Sequence, residues 1–413
     1  MTPADLAAAR WFRSKQREIA AVTEVDRAAV TRTADLVVVE VSYRDAAPRD
    51  HYLLVVADGG EPADADGAWS ALVSAMRDER TIDGSTGRFA GQWTAAAMLD
   101  GIEGARRLNV EQSNTSVVIG ERLILKLYRL LEAGDNPDLE VSAFLTDAGF
   151  ADTPPLAGSL LYHSAGGWSS AAAMVQAFVP STGDAWRAMR TALATDGDAG
   201  VAMARAIGRV TAALHEALAS RPERPAFPAR PATVAETAAW RASAERQLAL
   251  AVTAVSGEAH RRLVERAPDV RARFADTFGA AAGDAMVTRI HGDYHLGQLL
   301  ARRDGGFSVI DFEGEPARPL AERREPSSPL RDVAGMLRSL DYAARNAERE
   351  AGIDAEPWLA AARAAFLDAY GPADPALLAA FELEKACYEV RYEASNRPDW
   401  LWLPLAAVER LAR

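Results

Sequence analysis

Two acidic turns joined by a short apolar strand constrain this chain more than any other stretch. The first is Ile290-His291-Gly292-Asp293-Tyr294-His295-Leu296-Gly297-Gln298-Leu299-Leu300, where an apolar lead-in meets a polar, glycine-containing turn. The second follows Phe307-Ser308-Val309-Ile310 as Asp311-Phe312-Glu313-Gly314-Glu315-Pro316. Strand ends and loops are where folds place their chemistry, and this pattern delivers Asp293, Gln298, Asp311 and Glu313 to such positions. As plain structure, His291 and Asp293 would only cap and satisfy a turn. A second acidic turn at this distance argues against that reading.

The layout is that of a kinase catalytic loop followed by a metal loop. In such loops one Asp takes the proton of the substrate hydroxyl, while an amide and a second Asp hold Mg²⁺ across the phosphates of ATP. The first turn resembles the HGDxHxxN loop of the aminoglycoside-phosphotransferase-like kinases, with Gln298 where that family has Asn. With the run from Ile310 to Ala344, it is similar to the maltokinase and actinobacterial glucosamine kinase branch. The resemblance extends from Arg10 over nearly the whole chain and is strongest from Ile290 to Trp400. It implies an α+β chain with a bilobal, eukaryotic-protein-kinase-like fold. Residues 1–100 would form an N-terminal α+β cap domain, residues 101–180 the N-lobe, and residues 181–413 a mainly helical C-lobe.

Composition bounds the partners. The 413 residues are 49% hydrophobic and 25% charged, as in ordinary globular proteins, and are enough for two or three domains. A net charge of -12 argues against nucleic acid or an anionic membrane surface as partner. The lone Cys387 cannot form an intrachain disulfide and fits a reducing cytoplasm. No apolar stretch is long enough to span a bilayer. The expectation is a cytoplasmic monomer acting on small molecules. The only lysines are Lys15, Lys126 and Lys385, so each stands out in an arginine-rich chain.

Periodicity predicts a helix over 4–17, strands over 36–41 and 52–56, and a helix beginning near Trp69. Strands over 107–111, 116–119 and 122–128 follow, joined by tight turns. The Ser113-Asn114-Thr115-Ser116 turn lacks GxGxxG but stands where other kinases cover the phosphates. Lys126 on the third strand would hold the α- and β-phosphates. Its expected partner is Glu140, in the first turns of a helix over 136–148; otherwise Glu140 only complements that helix's dipole. The strand over 168–179 looks like the hinge, with backbone near Gln176 and Phe178 reading adenine. Asp184 meets the ribose or caps the next helix. His215, on a helix over 200–220, reads as structural or solvent-facing.

Asp293 is the expected proton acceptor. Gln298 and Asp311 would hold Mg²⁺, with Glu313 as an additional ligand, since oxygen ligands suit that hard cation. Asp332 resembles the aspartate that braces the catalytic loop from a following helix. Arg318, Arg323 and Arg324 flank the metal loop and either balance its acidity or lie on a solvated face. Lys385, Glu389, Tyr392 and Asn396 recur at helical spacing on one face. With Glu393, Arg397 and Trp400 they resemble the acceptor-binding end of the maltokinase branch, although such a cluster can also be a buried structural network. Carboxylates there suit an ammonium-bearing sugar. The expected reaction is transfer of the ATP γ-phosphoryl group to O6 of glucosamine. The alternatives are a maltokinase forming maltose 1-phosphate, an aminoglycoside phosphotransferase, and a nucleotide-binding regulatory pseudokinase.

Overall fold

In the computed structural model, which describes residues 2–45, 48–58, 60–94, 104–108, 114–316 and 318–412, the apolar run beginning at Leu36 is a strand buried on both faces. Side chains alternate across a strand. Leu36 and Val38 therefore enter one core with Trp69, Leu72 and Met76, while Val37, Val39 and Val41 enter a second with Leu6, Phe12 and Tyr52. The chain divides into two units, Met1–Val179 and Pro180–Arg413.

In the first unit, a short helix α1 (Pro3–Ala8) precedes strands β1 (Ile19–Ala29), β2 (Ala34–Tyr43) and β3 (Asp50–Ala57). Then come helix α2 (Ala68–Arg77) and strands β4 (Thr81–Asp83), β5 (Arg88–Trp93), β6 (Ala105–Arg107), β7 (Thr115–Ile119), β8 (Leu123–Leu127) and β9 (Leu130–Leu131). Helix α3 (Pro137–Ala148) and strands β10 (Leu156–His163) and β11 (Ser169–Ala177) complete it. The strands form one antiparallel sheet in the order β1-β2-β3-β9 and another in the order β4-β5-β10-β11-β8-β7-β6. The expected helix over 4–17 stops at Ala8, and β1, β4, β5 and β10 are strands that periodicity did not reveal. The expected domain boundary at residue 100 lies outside the described residues, and β5 and β7 on either side of it share a sheet.

Asp26 ties the two ends of this unit together. Its carboxylate is fully buried and accepts from the Arg27, Thr86 and Gly87 N–H groups and from the Ser85 and Tyr162 hydroxyls, all at 2.9–3.0 Å. These donors outweigh burial, which alone would raise its pKa, and hold it below the usual carboxylate range.

The second unit opens with strand β12 (Ser181–Asp184) and helices α4 (Ala185–Thr195) and α5 (Gly197–Leu218). Strand β13 (Arg230–Pro231), helices α6 (Val234–Ala254) and α7 (Gly257–Ala280) and strand β14 (Met286–Val287) lead to the first acidic turn. Strands β15 (Leu299–Arg302) and β16 (Phe307–Val309) then pair, and helices α8 (Leu320–Arg323), α9 (Leu330–Ala351), α10 (Glu356–Tyr370), α11 (Pro375–Asn396) and α12 (Trp402–Leu411) follow. No helix among the described residues is long and apolar enough to cross a membrane.

Candidate active site

The β15–β16 hairpin sets the geometry of the second unit. Leu299 pairs with Val309, and the Ile310 N–H donates to the Gln298 carbonyl at 3.0 Å. The end of the first turn and the start of the second therefore lie side by side. Asp311 has φ +67°, a left-handed conformation uncommon for a residue other than glycine but more accessible to Asp. Strain of this kind collects at functional positions.

The catalytic loop is held from behind. The buried Asp332, in the first turn of α9, accepts the His291 N–H at 2.8 Å and the Gly292 N–H at 2.9 Å. Asp332 thus occupies the bracing place expected of it. The Ser339 hydroxyl, one helical face along, accepts the Leu296 N–H at 3.1 Å. His291 then links the two turns, because its Nε2 meets the Ile310 carbonyl at 3.0 Å. Gly292 has φ +85°, and a side chain there would also press on Gly314.

Asp293 emerges opposite α11. Its Oδ1 accepts from Lys385 Nζ at 3.3 Å, and His295 Nε2 stands 4.0 Å from Oδ2. Burial would raise the Asp293 pKa, but Lys385, then His295 and His291, hold it below the usual carboxylate range. Lys385 is pushed up, since Asp293 and Glu315 outweigh its burial. Lys385 Nζ also lies 4.7 Å from the centroid of the Tyr388 ring.

A groove of about 810 Å³ opens beside this pair. Of the residues expected to bind the acceptor, Lys385, Glu389, Tyr392, Glu393, Asn396 and Arg397 line it, together with Asp293 and Asp184. Trp400 is not among the lining residues; it stacks on Tyr342 at 6.3 Å. Trp186, Tyr342 and Tyr388 line the groove without having been singled out in the sequence, where they looked like ordinary apolar helix positions.

The two groove glutamates differ. Glu393 is fully engaged: Oε1 accepts from the Tyr342 hydroxyl and Arg397 Nη2, and Oε2 from Arg397 Nε. Glu389 gives only Oε2 to the buried Arg338, which donates from Nε at 2.9 Å and Nη2 at 2.6 Å. That leaves Oε1 to the groove. Burial keeps Glu389 above the usual carboxylate range in spite of Arg338. The Asn396 amide turns back to the Tyr392 carbonyl at 2.8 Å.

A second cavity of about 470 Å³ also borders Asp293 and Lys385, with walls from Trp240, Arg318, Arg331 and Glu384. Its charges answer one another. Arg331 meets Glu384 at 2.8 Å and Arg318 meets Glu315 at 2.6 Å. Arg323 reaches the Glu313 carbonyl at 3.3 Å.

The residues expected to hold a metal are Gln298, Asp311 and Glu313. Ligand oxygens of Asp311 and Glu313 lie within 4.8 Å of one another, and Glu313 is buried. An amide oxygen with two carboxylates is hard-donor chemistry and fits Mg²⁺.

In the first unit, Lys126 projects from β8, and its Nζ meets Asp138 Oδ2 at 2.7 Å. Asp138 is fully buried and also accepts from the Tyr128 hydroxyl at 3.1 Å. Asp138, two residues before the expected Glu140, is thus a partner of Lys126 that the sequence did not single out. Asn136 caps α3 so that Asp138 falls in the first turn, and Glu140 lies about 200° further round the helix. Gln176 lies within the sheet. Its backbone lies between β10 and β8, and its side chain donates to the Ser142 hydroxyl and the Pro154 carbonyl, both at 3.2 Å. The Phe178 N–H is taken by the Arg122 carbonyl at 2.8 Å, so it is not a free donor for adenine. Asp184 caps α4 through the Arg187 N–H at 2.7 Å, the capping half of its two expected roles. Ser113 of the expected phosphate-covering turn lies outside the described residues.

Known proteins share this organisation. Residues 104–381 match the phosphotransferase enzyme family, and residues 6–86 match the maltokinase N-terminal cap domain. A glucosamine kinase from Streptacidiphilus jiangxiensis is 33% identical over 328 residues, which cover 73% of this chain and 72% of that protein. A glucosamine kinase from Mycolicibacterium smegmatis is 31% identical over 378 residues, 84% of this chain and 91% of that protein. A solved structure of a glucosamine kinase in complex with glucosamine, ADP and inorganic phosphate aligns over 100% of both chains, with a TM-score of 0.75 and 26% identity. The resemblance read from the two acidic turns therefore holds, and this chain has a kinase-like fold and belongs to the phosphotransferase enzyme family, in the branch that carries a maltokinase-type cap.

Proposed function

We propose that this protein is an ATP- and Mg²⁺-dependent glucosamine kinase that forms glucosamine 6-phosphate. The observation that carries the reading is the groove beside Asp293 and Lys385, which presents one oxygen of the buried Glu389 where an acceptor would sit. The names of the two relatives and of the aligned complex support the same acceptor.

In this reading the O6 hydroxyl approaches Asp293, which takes its proton as the new O–P bond forms. A carboxylate of low basicity suffices, because the proton leaves late in a loose phosphoryl transfer. Lys385 keeps Asp293 ionised and fixes where its oxygens point. Tyr388 and Tyr392 offer ring faces to sugar C–H groups, and Glu389 Oε1 receives the ammonium group. Glu393 orders Arg397 and Tyr342 at the rim. Lys126, held by Asp138, engages the α- and β-phosphates. Gln298, Asp311 and Glu313 would hold Mg²⁺, which would supply neutralisation of charge on the ATP phosphates. The reading places the enzyme in the reducing cytoplasm as a monomer, where the single buried thiol of Cys387 needs no partner.

ADP release with Mg-ATP against glucosamine, glucose, maltose and kanamycin tests the proposal. Turnover on glucosamine in preference to the other three supports it. Turnover on maltose instead would keep the chemistry and replace the acceptor, an outcome that the maltokinase-type cap over residues 6–86 favours as the second reading. Replacing Asp293 with Asn should abolish turnover and leave ATP binding nearly intact.

A further inference from the structure

Asp332 receives a third donor that the bracing role alone does not require. His215 Nε2 lies 3.1 Å from Asp332 Oδ2, the same oxygen that accepts the His291 N–H. The other ring nitrogen, Nδ1, lies 3.0 Å from the Tyr370 hydroxyl. His215 sits in the last turn of α5 and Tyr370 closes α10, so two helices converge behind the loop. His215 and Asp332 are both buried, at 6% and 1% exposure, which keeps water from substituting for either contact.

The chemistry of the three groups fixes the direction of each hydrogen bond. An ionised carboxylate only accepts, so Nε2 carries the proton that faces Asp332. In the neutral ring Nδ1 is then an acceptor, and the Tyr370 hydroxyl donates to it. Burial raises the Tyr370 pKa, which keeps that hydroxyl protonated at neutral pH. Asp332 thereby selects the tautomer of His215, and the Tyr370 hydroxyl, able to donate or accept, satisfies the other ring nitrogen. The line continues forward. Asp332 sets the His291 and Gly292 peptides, Asp293 follows directly, and His291 Nε2 holds the Ile310 carbonyl just before Asp311.

We propose that His215 is a positioning residue for phosphoryl transfer. Through Asp332 it fixes the approach of Asp293 and the start of the metal turn, with its ring held from the other side by Tyr370. The inference rests on Asp293 acting as the proton acceptor. A small loss of alignment at such a loop is expensive, because the reacting oxygen must meet phosphorus in line.

Two amides separate positioning from packing. The Gln Nε2 in His215→Gln can reach the place of the imidazole Nε2 and donate to Asp332. The shorter amide in His215→Asn reaches only the Tyr370 side. Kinetics are followed as ADP release with glucosamine, or with the sugar that replaces it as acceptor, alongside ATP binding and thermal unfolding. His215→Asn and His215→Leu should lower kcat about 10- to 100-fold with little change in KM for ATP, and His215→Gln should recover most of that loss. Equal kcat for the Gln and Asn variants would overturn the proposal, as would a folded Leu variant with wild-type kcat. If His215→Leu fails to fold, the comparison of Gln with Asn still decides. Asp293→Asn is run in parallel. If it retains activity, the assignment of the proton acceptor fails on its own, and the His215 variants are not needed to show it.

Discussion

Replacing Lys385 with Met tests how the catalytic carboxylate is kept ready. Methionine retains the unbranched stem and its packing while removing the charge. At the observed 3.3 Å, Coulomb's law with an effective dielectric of about 20 gives roughly 5 kcal/mol between the two charges. Both side chains are about a quarter exposed, at 27% and 22%, so solvent screens part of this. Charge-assisted hydrogen bonds retain about 1.5–3 kcal/mol net, and a loss of about 2 kcal/mol corresponds to roughly 30-fold in kcat/KM near neutral pH. The sign with pH is also fixed. Lys385 is the largest influence lowering the Asp293 pKa, and burial works against it. Without Lys385 the pKa rises, and the acidic limb of kcat/KM moves to higher pH. The deficit of the variant should therefore widen as the pH is lowered from about 8 towards 5. The assay is a pH series of initial rates with ATP saturating, with ATP binding as the check on folding. An equal deficit at every pH would refute the coupling and leave Lys385 as a contact to the sugar alone.

The two groove glutamates should separate by acceptor: Glu389→Gln raises KM for glucosamine about 10- to 100-fold and leaves glucose, as a poor acceptor or an inhibitor, nearly unaffected. Glu393→Gln loosens Arg397 and Tyr342 and should weaken both sugars alike, so parallel losses for both variants would remove Glu389 as the ammonium contact. A Cβ added at Gly335 would lie 2.5 Å from the Tyr294 carbonyl, and Gly335→Ala should displace α9 from the catalytic loop. The expected cost is about 1–3 kcal/mol of stability together with reduced kcat, read by denaturant unfolding and initial rates. Asp26→Ala strands five donors and should cost about 3–5 kcal/mol, measured by unfolding of the whole chain. Because the folded pKa of Asp26 is depressed, its contribution is present above the ordinary carboxylate value and is lost as the pH falls through the lower folded one. Asp26→Asn should therefore flatten the acid side of the stability curve, and an unchanged acid slope would count against the role given to Asp26.

The parts of the site that were legible in the sequence share one property: their chemistry and their chain position coincide. His291 to Gln298 and Ile310 to Glu313 are contiguous, and strand pairing brings them side by side without a long detour. Asp332 could be placed because it opens the next long helix. Asp138 went unnoticed for a local reason, since the capping of α3 by Asn136 decides where each acid of the first turn points, and residue spacing alone cannot say so. The side-chain role of Gln176 was not legible, because a polar residue at the end of an apolar strand looks the same whether its amide is free or satisfies Ser142 and Pro154. The strands β1, β4, β5 and β10 were missed because their pattern is weak or mixed, and neighbouring strands rather than their own propensity decide their conformation. Asp26, Arg338 and His215 act through partners more than fifty residues away in sequence, and no local pattern announces that.

Helix α11 does two jobs through one short run of side chains. Glu384 holds Arg331, the neighbour of the bracing Asp332, while the next residue, Lys385, holds the catalytic Asp293. One turn further on, Glu389 and Glu393 face the acceptor groove. In the proposed reading, the residues that keep the chemistry in place and those that choose the sugar are thus spread along a single helix. In that reading Glu393, which answers to Arg397, can change with the acceptor at little cost to phosphoryl transfer, whereas Glu389, paired with Arg338, also lies in the field of Lys385. The shared helix also sets a limit. On the proposed roles, any change at Lys385 alters the base and the groove together, so acceptor specificity would vary most freely beyond Glu389.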